Sequence, residues 1–96
     1  MKDYYEGVRQ DTIDTINNYV KIGLPPGSFV QAVLENNLME AFGRADGGNR
    51  LSLFSICEYV YNEIPSACHG SPEKVKAWLK KDFSEARAFY AQRKGE

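Results

Sequence analysis

The run from Gly43 to Pro65, GRADGGNRLSLFSICEYVYNEIP, leaves this chain the fewest choices, because its most polar loop passes directly into its most apolar helix. Leu51, Leu53, Phe54, Ile56, Cys57, Val60, Tyr61 and Ile64 cover a wider arc than a helix needs to bury one stripe. The pattern predicts a central helix from about Arg50 to Glu63 with other helices packed around it. Ile64-Pro65 ends it, since the residue before a proline avoids helical geometry. Ahead of it, Arg44-Ala45-Asp46-Gly47-Gly48-Asn49 brings together a cation, an anion, an amide and two glycines. A polar loop held by a buried helix is the first place to look for function.

The rest of the chain reads as helices on both sides of this post. Tyr5, Val8, Thr12, Ile13, Ile16, Tyr19 and Val20 recur at three- and four-residue steps and predict a first helix over 3–22. Gly23 closes it and Pro25-Pro26 forbid continuation. A second helix starts at Pro26 or Ser28 and carries an apolar stripe, Val30, Val33, Leu34, Leu38, Ala41, Phe42 and Ala45. Asn36-Asn37 interrupts that stripe, and Asn37 with Glu40 three residues on resembles a capping box, so a kink or restart belongs there. Ser71-Pro72-Glu73 is a start signal for a long amphipathic last helix reaching about Gln92, with Val75, Trp78, Leu79, Phe83, Ala86, Phe89 and Tyr90 on its apolar side. No stretch alternates with a period of two. The expectation is one all-α domain over residues 1–96, a compact bundle of four to five helices around the central apolar helix.

Composition narrows the functional classes. A chain of 96 residues with 43% hydrophobic and 12% aromatic residues has room for one core. Formal charge is −1, yet residues 1–46 hold four basic and seven acidic side chains while residues 72–96 hold seven and four. A polarised molecule follows, with its basic helix read as a solvated face, and nucleic acid is not an expected partner. No run approaches the roughly 18 apolar residues of a membrane span, and the N-terminus lacks the apolar core of a signal peptide. With two cysteines, Cys57 and Cys68, the reading is a cytoplasmic protein with free thiols.

The residues that could carry chemistry are few. Cys57, Cys68, His69 and Glu58 match no zinc spacing, so no metal is expected. One histidine, with no nucleophile-elbow pattern and no orienting triad, gives no catalytic set, so no enzyme and no cofactor are expected. Anion recognition is better supported: Gly27-Ser28 and Gly48-Asn49 place small residues at helix starts, with Arg44 and Arg50 nearby. Against it stands simple helix capping by Ser28 and Asn49. Arg44 and Asp46 serve either recognition or pairing within the loop. The candidate binding set is therefore Gly27, Ser28, Arg44, Asp46, Asn49 and Arg50. Ile56 and Tyr59, on a second arc of the central helix, imply full internal burial or an oligomer contact.

Taken in order, Pro25-Pro26-Gly27-Ser28-Phe29, Ala32–Leu38 (AVLENNL), Ala41–Asp46 (AFGRAD), Asn49, Tyr61–Pro65 (YNEIP) and Gly70–Glu73 (GSPE) through Trp78 resemble a group of short uncharacterised proteins encoded by phages and prophages. The likeness covers about residues 24–79, and no catalytic residue is carried over from it. It implies a small accessory phage protein in an infected bacterial cytoplasm, acting by occupying a target. Two modes follow: sequestering a nucleotide signal at Arg44, Asp46, Asn49 and the Pro26–Ser28 turn in an oligomer, or blocking a host defence protein directly, as anti-CRISPR inhibitors do. A small nucleotide hydrolase is a third.

Overall fold

The computed structural model describes residues 7–94, with side-chain surroundings to residue 92. Those residues form seven α-helices and one 3-10 turn, with no strand among them: α1 (Gln10–Ile22), α2 (Ser28–Leu34), α3 (Leu38–Arg44), α4 (Gly47–Leu51), α5 (Leu53–Glu63), the 3-10 turn Ser66–Cys68, α6 (Pro72–Leu79) and α7 (Ser84–Lys94). The described residues are all-helical as expected, whereas the count of four to five is exceeded because breaks at 35–37, 52 and 80–83 divide three of the predicted helices.

Each division has a local cause. Asn36 takes a positive φ of 65° and Asn37 accepts the Glu40 N–H, so the predicted second helix stops and restarts as α2 and α3. Asp46 caps α4, which puts the helix start at Gly47 rather than near Arg50. Asp82 accepts the Ser84 N–H at 3.0 Å and separates α6 from α7. At the other end α1 begins at Gln10, after a positive-φ Gly7 and an extended Arg9. The predicted start near Asp3, with Tyr5 and Glu6, lies outside the described residues.

The core is built on α1 and α2 rather than around α5. Tyr19, Ile16, Leu34, Ile56, Val75 and Cys68 are the largest fully buried side chains. Tyr19 ties three elements together: its hydroxyl donates to the Cys68 carbonyl at 2.8 Å, and its own carbonyl accepts the Trp78 indole N–H at 3.1 Å. Arg87 of α7 closes the C-terminal end of α1, donating from Nε to the Ile22 carbonyl at 2.7 Å and from Nη2 to Gly23 at 3.1 Å. A cation there also suits the negative end of the helix dipole.

The predicted central post is therefore corrected. Of α5, only Ile56 and Val60 are buried, with Leu53, Cys57 and Tyr59 half-buried. Phe54 and Tyr61, the other apolar residues of α5, face water.

Candidate functional site

The polar loop between α3 and α4 is spent on its own architecture. Asp46 accepts the Asn49 N–H at 2.8 Å through one carboxylate oxygen and Arg9 Nη1 at 2.7 Å through the other. Those two donors, the Asn49 amide first, hold its carboxyl below the ordinary range. Arg9 is gripped a second time by Asp11, at 3.2 Å to each oxygen, which raises the guanidinium further and lowers the Asp11 carboxyl. Asn49 is buried, and its side-chain oxygen accepts the Thr12 hydroxyl at 2.9 Å. Arg44 pairs with Glu40 one turn back at 3.1 Å and donates to the Ser28 carbonyl at 3.3 Å. Arg50 donates to the Ala45 carbonyl and stacks on Phe42, 5.0 Å from its ring centre.

The six predicted binding residues accordingly separate. Gly27, Ser28 and Asn49 line one shallow groove of about 320 Å³, together with Arg9, Asp11 and Thr12. Arg44, Asp46 and Arg50 do not line it. Among the described residues Arg9 is the cation on its wall, and it has a carboxylate on each side, so an incoming anion would compete with Asp11 and Asp46 for the guanidinium. Of the two readings held open for Arg44 and Asp46, their contacts are those of internal pairing and capping.

Of the two thiols, Cys57 shares a hollow with His69, whereas Cys68 does not line it. Cys68 is fully buried with Sγ 3.1 Å from the Pro65 carbonyl, Cys57 is half-buried, and both are free thiols. Burial pushes both thiols up, away from the thiolate a nucleophile or metal ligand needs. Among the described residues no three His, Cys, Asp or Glu side chains converge as a metal site would require.

What the molecule does present is apolar. On α4 and α5, Leu51 is 91% exposed, Phe54 79% and Tyr61 81%; on α3, Met39 is 81% exposed, with Leu38 and Phe42 about half. Between α3 and α5 lies an open hollow of about 210 Å³, walled by Val33, Leu38, Cys57, Val60, Tyr61 and His69. Single exposed apolar residues are ordinary, but this many on three successive helices, rich in aromatics and including a methionine, have the composition of a contact surface. Ile56 is fully buried and Tyr59 half-buried, its hydroxyl donating to Asn17 at 2.7 Å, so Ile56 fills the core and does not face a neighbour. The outward arc was legible as excess apolar width in the sequence, and reading that width as interior concealed it.

No protein-family model, no curated protein and no solved structure matches this chain. The described helices include none long and apolar enough to cross a membrane.

Proposed function

We propose that this chain is a non-catalytic binding protein that works by occupying another protein through the apolar surface of α3, α4 and α5. The observation that supports this is the exposure of Leu51, Phe54, Tyr61 and Met39, while Asp46 and Arg44 of the polar loop make internal pairs. Burying aromatic and Met side chains is where protein interfaces gain most of their affinity. In the phage setting that the sequence resemblance implies, the occupied protein is a bacterial defence factor, and the chain is an accessory inhibitor acting in the host cytoplasm.

Plating efficiency of phage on bacteria carrying individual defence systems tests this reading. Where the wild-type chain restores plating, Phe54→Asp abolishes the effect and Arg44→Ala keeps it, both variants remaining folded because each change lies at the surface. Loss with Arg44→Ala while Phe54→Asp stays active would return function to the polar loop.

A second reading, sequestration of a nucleotide signal, keeps one supporting observation: Gly27, Ser28 and Asn49 do share a groove with Arg9. A nucleotide bound there raises the melting temperature with its concentration, as linkage requires. On the apolar-surface reading no nucleotide does so.

A further inference from the structure

Helices α4 and α5 run as nearly one helix. The Ser52 N–H bonds to the Gly48 carbonyl at 3.2 Å and the Ile56 N–H to the Ser52 carbonyl at 2.9 Å, so the hydrogen-bond ladder passes through the junction. The Ser52 hydroxyl also donates to the Gly48 carbonyl, which accounts for the slight break there. At roughly 100° per residue, the residues three and four positions to either side of Phe54 fall within about 60° of its direction. They are Arg50 and Leu51 on one side, Cys57 and Glu58 on the other.

Read along the helix, this strip is cation, leucine, phenylalanine, cysteine, carboxylate. It is symmetric in apolar character about Phe54 and opposite in charge at its two ends. A two-fold contact brings residue i of one copy to residue j of the other, and j to i. Laid antiparallel on itself with Phe54 at the axis, the strip sets Leu51 against Cys57 and makes the Arg50–Glu58 contact twice. Among the described residues neither charge meets an opposite one, Arg50 donating only to the Ala45 carbonyl and lying over the Phe42 ring. The ion pairs among the described residues join Arg9 to Asp11 and Asp46, and Arg44 to Glu40.

The area agrees. Aromatic side chains bury ~150–250 Å² each, so Phe42, Leu51, Phe54 and Tyr61 at their observed exposures open on the order of 600 Å² to water. The stems of Arg50 and Glu58 bring this close to the ~800 Å² per partner of a stable interface.

We propose that the face centred on Phe54 pairs with the same face of a second copy, giving an antiparallel homodimer held by two Arg50–Glu58 contacts. This rests on the reading of the apolar surface as a contact surface and names its first occupant.

Sedimentation equilibrium of the full chain from micromolar to millimolar concentration tests it, with circular dichroism confirming that each variant is folded. The wild type is expected to move from monomer to dimer mass. Arg50→Glu and Glu58→Arg each put like charges together twice and weaken the dimer roughly tenfold or more. An equimolar mixture of the two variants regains the dimer, because both contacts are then of opposite sign. A wild type that stays monomeric throughout, or a dimer indifferent to both reversals and to Phe54→Asp, overturns the proposal. If the wild type is monomeric while Phe54→Asp still loses plating, self-pairing fails and the contact-surface reading stands. A charge-sensitive dimer whose Phe54→Asp variant plates like the wild type fails the other way.

Discussion

Tyr19→Ala is expected to lose about 3–5 kcal/mol of stability, the largest effect of any single truncation in this chain. Against a total on the order of 5–15 kcal/mol for a domain, that leaves a marginal fold or none at growth temperature. The ring is fully buried at the meeting point of α1, the 3-10 turn and α6, so its removal opens a cavity in the centre of the core. Tyr19→Phe separates the two contributions. It keeps the ring and leaves the Cys68 carbonyl without the Tyr19 hydroxyl, at about 1–3 kcal/mol. Urea denaturation followed by circular dichroism measures both, and a Tyr19→Ala midpoint within error of the wild type would remove Tyr19 from the centre of this fold.

Gly23→Ala is expected to cost about 2–4 kcal/mol, for two independent reasons. Gly23 closes α1 with φ 69°, a left-handed conformation that other residues pay to adopt, while the Leu24 N–H reaches back to the Asn18 carbonyl. A Cβ at Gly23 would also overlap the Phe83 ring, which sits between α6 and α7, 5.9 Å from Trp78. Phe83 must move, and with it the environment of the single tryptophan. Gly27→Ala is the control. Gly27, at φ 84° and ψ 165°, has open space around a Cβ, so only the backbone strain of about 1–3 kcal/mol applies and tryptophan fluorescence stays as in the wild type. Equal fluorescence changes in the two variants would contradict this account of the α1–α7 junction.

The positions of helix starts and stops were largely legible, because they depend on neighbours in sequence. Gly23 with Pro25-Pro26, the Asn37 cap and Ser71-Pro72 each act where the sequence places them: Ser71 accepts the Lys74 N–H at 3.1 Å, and Asn37 accepts that of Glu40, although the Glu40 carboxylate pairs with Arg44 and does not close a capping box. The break before α7 was missed although its signal is present, an aspartate at 82 ahead of Ser84-Glu85, because the apolar spacing of Phe83, Ala86 and Phe89 continues the helical period across it. A period shows which side of a helix is apolar and cannot show that the helix has turned.

Burial was less legible, for a reason of the same kind. The apolar arc of α5 is real, but whether it meets other helices or water depends on how many helices the chain has to cover it with. Leu51, Phe54 and Tyr61 are identical in type to core residues, and only the packing of α1 and α2 on the opposite side assigns them to the surface. The internal pairs of the polar loop involve partners remote in sequence. Arg9, 37 residues from Asp46, takes the carboxylate that would otherwise have been free, and Thr12, 37 residues from Asn49, takes the amide oxygen. Local sequence offers no sign of either pairing.

Hydroxyl-radical footprinting of the wild-type chain, compared between dilute purified protein and protein inside phage-challenged bacteria, tests most directly which surface is in use. Met39, Phe54 and Tyr61 are the reactive side chains of the apolar surface. They are predicted to oxidise readily in dilute solution and to be shielded in the cell, while reactivity along the groove of Arg9, Ser28 and Phe29 is the same in both. Shielding confined to that groove, with Met39, Phe54 and Tyr61 oxidised equally in the two settings, would contradict the account and make the polar side the working face.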